Sequence, residues 1–168
     1  MDITKTCAFF ASPPLCFPWG YDEEDEGCAA MKLQLLNAIT SLRAEGVKTF
    51  NVVLDQGFGL YAAEMIAGLR DTDPEVELDL FVPYEELEAE WMPVLRARYL
   101  AVYKHANVLA TISKRDDVDR EFLTYLSSFE LAGSVIAVIE RESPRGVHAL
   151  NASTAACYMK KDVIRLER

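Results

Sequence analysis

The chain has 168 residues, 51% of them hydrophobic and 26% charged, with a formal net charge of −10 at pH 7. That length suits one domain with a single substantial core, and the composition is that of a globular protein. The acidic balance argues against DNA or RNA as a partner, because phosphate binding needs a basic surface, and no run approaches the roughly 18 apolar residues of a membrane span.

The opening stretch MDITKTCAFFASPP lacks the basic start and long apolar run of a secretory signal, so a cytoplasmic protein is expected. Within it, Thr6 to Ala11 reads as a short buried strand ended by Ser12-Pro13-Pro14. The acidic run Asp22 to Glu26 suits the positive end of the helix that follows. That helix carries Met31, Leu35, Ala38, Ile39 and Leu42 on one face and ends at Gly46, the expected residue just past its last turn. TFNVVL is a second strand, and Leu60 to Arg70 a helix. VELDLFV, from Val76 to Val82, is a third strand stopped by Pro83. Helical pattern then runs from about Glu85 to Ala106, with an interruption near Trp91-Met92-Pro93, since proline disfavours helix at the residue before it. NVLATI (Asn107 to Ile112) is a strand, Arg120 to Ala132 a helix, and SVIAVIE the most apolar strand. A last helix over roughly Ala149 to Lys160 and a closing strand DVIRL complete the chain.

Uniformly apolar strands separated by helices imply a parallel sheet covered on both faces. The fold class is therefore α/β, a Rossmann-like three-layer α/β/α sandwich with a mainly parallel sheet, and residues 1–168 form one domain. In such sheets ligands bind at the carboxyl ends of the strands, here in loops beginning at Ser12, Asp55, Pro83, Ser113 and Glu140.

The loop after the second strand, DQGFGLYAAE, holds Gly57 and Gly59 before a helix whose free amides suit an anion. It is neither GxGxxG nor a GK[ST] phosphate loop, and paired glycines in such a turn also serve backbone geometry alone. Asp55 would repel a phosphate, although it could meet a ribose hydroxyl. Trp19, Tyr84 and Trp91 are candidates to stack on a base as well as core residues. His105 and His148 lie at no strand end, and Ser12 has no evident partner for a nucleophilic triad. Cys7, Cys16, Cys28 and Cys157 follow no zinc spacing, so reduced thiols are expected, with no metal, disulfide or cofactor.

The segments PWGYDEED, LYAAE and VPYEELEAEW, in this order and spacing, resemble the SLOG superfamily, the Rossmann-like group related to DprA and the LOG phosphoribohydrolases. The resemblance covers nearly the whole chain and is closest to the uncharacterised YpsA-like branch. It implies a nucleotide-derived small-molecule ligand and homodimers paired through helices, and with the strand-end loops it gives Ser12, Gln56, Gly57, Gly59, Tyr84 and Gly146 as the candidate ligand set. If the protein is catalytic, Glu64 is the candidate, because its AAE matches the family helix.

The polar positions of that family depart here. Its Gly-His-Arg-Pro is Ala11, Ser12, Pro13 and Pro14, and Val52-Val53 stand for its Ser-Gly. Asp55 stands for an Ala, Gly59 for an Asp and Leu87 for a Gln, while Gly57 is kept. A polar stretch before the fifth strand is reduced to Glu130, and the late Gly-Gly-Thr is Arg145, Gly146 and Val147. The leading expectation is a degenerate, non-catalytic member that binds a small nucleotide-derived ligand weakly or acts through protein interaction. The alternative is a working nucleotide-binding protein or N-glycosidic, phosphoribohydrolase-like hydrolase. Degeneracy predicts a small crevice lined by Pro13, Val53, Leu87 and Val147. The alternative predicts a base-sized cleft walled by Tyr84 or Trp91, with Glu64 facing a ribose-sized space.

Overall fold

The computed structural model describes residues 2–117, 119–140, 156 and 159–167. Within them, strands β1 (Thr6–Ala11), β2 (Thr49–Val53), β3 (Glu77–Val82), β4 (Val108–Thr111), β5 (Ser134–Ile139) and β6 (Asp162–Glu167) form one sheet. Its order is β4-β3-β2-β1-β5-β6, and every pairing is parallel. The expected Rossmann-like sheet is present. All residues of β1 and β2 are buried, as a sheet covered on both faces requires.

Helices α1 (Glu26–Ala44), α2 (Phe58–Arg70) and α3 (Pro93–Tyr103) pack in succession on one face. Their core includes Leu35, Ile39, Leu60, Ile66 and Leu95 against Phe9, Phe50, Val52 and Leu80. On the opposite face α4 (Arg120–Glu130) crosses β1, β2 and β3, setting Tyr125 and Phe129 against Phe10, Val53 and Phe81.

The ends of α1 follow from its sequence. Asp25 caps the first turn, its carboxylate accepting from the amides of Gly27 (2.7 Å) and Cys28 (3.3 Å). At the other end Gly46 takes φ +101°, and the amides of Gly46 and Val47 return to the carbonyls of Arg43 and Leu42. The helical pattern from Glu85 to Ala106 is shorter than its periodicity suggested. It becomes a 3-10 turn at Leu87–Glu90 and then α3, which starts at Pro93 because proline fits the first helical position, where no amide is needed. The helix expected over Ala149 to Lys160 falls largely outside the described residues, although Ala156 is helical and buried. No helix among the described residues is long and apolar enough to cross a membrane.

Candidate functional site

Chain order runs outward from β1 to β4 on one side, then returns to β5 on the other, so the sheet reverses beside β1. A ligand crevice belongs at that reversal, beyond the strand ends. Here it is closed. Ser12 is fully buried, its amide donates to the Val138 carbonyl (2.9 Å), and its hydroxyl oxygen accepts from the Glu140 amide (3.1 Å). The space beneath, between Ala11, Val53, Gly59 and Val138, has no room for a water molecule. Phe17, stacked on Trp19 with centroids 5.0 Å apart and against Phe58, lays the FPWG segment across the start of α2.

The turn between β2 and α2 has a definite occupant. Asp55 Oδ1 accepts from the amides of Gly57 (2.7 Å) and Gly59 (3.0 Å), the amides that a phosphate at this helix terminus would use. Burial pushes the Asp55 carboxyl up to about 6, against the backbone amides of Gly57, Gly59 and Leu60, which pull it down. Both glycines are required by close approach. A Cβ at Gly59 would lie 2.2 Å from the Val53 carbonyl oxygen, and one at Gly57 would lie 2.7 Å from the Pro14 ring.

Farther along the strand ends, toward β3, a cavity of about 250 Å³ opens between the loops that follow β2 and β3. Asp55, Gln56, Tyr84, Leu87, Trp91 and Glu121 line it, with Pro14 and Glu90 at its edge. Trp91 is held edge-on against Tyr99 at 5.4 Å, and the Arg120 guanidinium lies 4.9 Å from the Tyr84 ring centroid. Glu90 pairs with Arg115 and Glu121 with Arg120.

Glu64 is elsewhere. Its carboxylate receives Nε and Nη2 of Arg98 at 2.6 and 2.7 Å, and Arg98 also reaches Glu23, which pairs with Lys32. Burial acts to raise the Glu23 carboxyl, but the hydrogen bonds from Arg98 and Lys32 prevail and hold it below its ordinary value. The Lys32 ammonium lies 4.0 Å from the Tyr61 ring centroid. The network fastens the acidic loop to α1, α2 and α3.

The structure thus brings Gln56 and Tyr84 together at one cavity, puts Gly57 and Gly59 under Asp55, and sets Ser12 between the ends of β1 and β5. Gly146, Arg145, Val147, His148 and Cys157 lie outside the described residues. Of the four residues expected to close the crevice, Val53 borders the closed space and Leu87 the open cavity, whereas Pro13 is exposed and Pro14 takes its place. The aromatic wall foreseen for the alternative is present, but Glu64 does not face it. Asp55 is the residue that sequence reasoning undervalued. Its signal was an acid two residues before a glycine at a helix start, the spacing of a side chain that caps its own backbone. Cys7, Cys16 and Cys28 are buried free thiols.

A family model described as the YspA SLOG family matches residues 15–147. Among curated proteins, a UPF0398 protein of Halalkalibacterium halodurans is 28% identical over 95 residues, covering 56% of this chain and 50% of that relative. The chain therefore aligns with only half the length of that relative. A UPF0398 protein of Bacillus cereus strain G9842 is 24% identical over 126 residues, 74% of this chain and 68% of the relative. A UPF0398 protein of Bacillus thuringiensis strain Al Hakam matches with the same identity and coverage.

Proposed function

The chain belongs to the YpsA SLOG family, and from that premise we propose that it is a non-catalytic member that holds a small nucleotide-derived molecule weakly at the Tyr84–Trp91 cavity. One observation carries this reading: the Asp55 carboxylate occupies the two α2 amides on which a nucleotide phosphate would rest. A phosphate there must displace a carboxylate from good hydrogen bonds and sit beside its charge. The hydrolase alternative needs a carboxylate free to act on a ribose or a water, and Glu64 is committed to Arg98. Acid–base work requires a group within hydrogen-bond reach of the reacting atom.

Thermal-shift screening with ADP-ribose, NAD, AMP and cytokinin-type ribotides tests the reading, because a ligand of the native state raises its stability. Shifts below about 2 °C, with no base released from the ribotides, are expected for weak binding. A larger shift abolished by Gly57→Val, or turnover abolished by Glu64→Gln, would establish a working nucleotide site instead.

A further inference from the structure

We infer that the cavity between Tyr84 and Trp91 selects an unphosphorylated heteroaromatic base or nucleoside over the corresponding nucleotide. This rests on the small-molecule reading above and names its ligand class.

Size comes first. At about 250 Å³ the cavity lies below the roughly 300–1,000 Å³ of sites for drug-sized ligands, which suits one base with part of a sugar. Shape comes next. Tyr84 and Trp91 are each held by packing, Tyr84 beneath Arg120 and Trp91 against Tyr99, so the aromatic walls exist before any ligand arrives. Rigid aromatic faces favour flat π-systems of any sequence identity.

Charge decides the class. The cavity presents carboxylates from Asp55, Glu90 and Glu121, and among its described lining residues there is no Lys or Arg. The nearby Arg115 guanidinium is paired with Glu90, and Arg120 lies 3.1 Å from the Glu121 carboxylate, although its buried Nε makes no hydrogen bond. A phosphate would have to compete with those carboxylates for a cation and with Asp55 for the α2 amides. A base edge bearing a ring N–H or an exocyclic amino group meets the opposite situation. Three backbone amides, of Gly57, Gly59 and Leu60, draw on the Asp55 carboxylate, which has about four acceptor positions, so it can still accept from a ligand N–H at the cavity that it lines with Gln56. Site chemistry of this kind, built to receive N–H donors, penalises a ligand that brings negative charge.

The test is a pair of calorimetric titrations of the full chain at pH 7.5, adenosine against AMP and guanosine against GMP. The expected result is saturable nucleoside binding, with each monophosphate weaker by about tenfold or more. Asp55→Asn keeps an acceptor for the two glycine amides but removes the charge, and is expected to narrow that discrimination severalfold. Tyr84→Leu is expected to weaken nucleoside binding by about tenfold, with circular dichroism confirming the fold. Should that variant not fold, Gln56→Ala, at a half-buried loop position lining the cavity, supplies the same comparison. Monophosphates binding as tightly as nucleosides would overturn the inference while leaving a nucleotide-derived ligand in place. No saturable binding by either series would overturn both this inference and the small-molecule reading it rests on.

Discussion

Asp55 and Asp79 are two aspartates at opposite ends of the sheet, and in each burial outweighs everything else. Asp79 lies on β3 opposite Asn51 of β2, and the two point to the face covered by α4. Asn51 Nδ2 donates to the Ser128 carbonyl at 3.1 Å, but Asn51 Oδ1 and Asp79 Oδ1 are both buried without a partner. Burial, then the charge of Glu77, push the Asp79 carboxyl up to about 6, against the backbone amide of Val108, which pulls it down. Its folded value therefore exceeds its unfolded value of 3.8, so the protonated acid favours the fold. That contribution is complete below pH 3.8 and is lost as pH rises through about 6. Asp79→Asn mimics the protonated acid and can offer an N–H to Asn51. It is expected to gain about 1–2 kcal/mol at pH 7.5 and to flatten the stability slope between pH 4 and 6 in urea unfolding. Loss of stability in that variant would show that the charged carboxylate has a stabilising partner beyond the Val108 amide.

Much of the residue-scale reading was open to the sequence. The alternation of apolar strand and helix, the buried stripe of α1 and the role of Gly46 all follow from local rules, and each is met. Pairwise geometry was not legible. Nothing in the spacing announces that Glu64 will meet Arg98, because residues 34 positions apart are joined only by the packing of α2 on α3. The AAE that matches the family helix places Glu64 on the flank of α2 that faces α3, away from the strand ends. Likewise Ser12 reads as a polar residue in a ligand loop, until the return of the chain to β5 puts the Glu140 amide beside it.

At the scale of elements, the Glu23–Lys32–Arg98–Glu64 network does the joining that a ligand loop would otherwise leave undone. Arg98 and both of its carboxylate partners are each about one-quarter to one-third exposed, so solvent screens the pairs without dissolving them. Arg98→Leu leaves two acids facing each other, and is expected to cost about 1–3 kcal/mol in chemical unfolding. Glu64→Gln retains one hydrogen bond to Arg98 and is expected to cost less, about 1 kcal/mol, with ligand binding at the Tyr84 cavity unchanged. A large change in that binding would return Glu64 to the site.

For the whole molecule, the expectation of a homodimer now has a surface to consider. Leu100 and Tyr103 of α3 are each 45% exposed, and they border a hollow shared with Leu109 of the edge strand β4. Apolar side chains gathered at a sheet edge favour association, whereas single ones scattered over a surface do not. Multi-angle light scattering at tens of micromolar is expected to give twice the 18.9 kDa chain mass, falling to the single-chain mass in Leu100→Glu. A monomer mass for the unaltered chain would contradict it.

Asp55, and not a ligand phosphate, satisfies the start of α2. The most direct measurement follows the backbone amide resonances of Gly57 and Gly59 by 15N NMR, first against pH and then against added AMP. Both amides are expected to shift together with a midpoint near pH 6, as the carboxyl they share changes charge. AMP added to about 10 mM is expected not to displace the carboxylate, so the two amides keep their common midpoint in its presence. Saturable displacement of the two amides by AMP, with no common titration near pH 6, would contradict it.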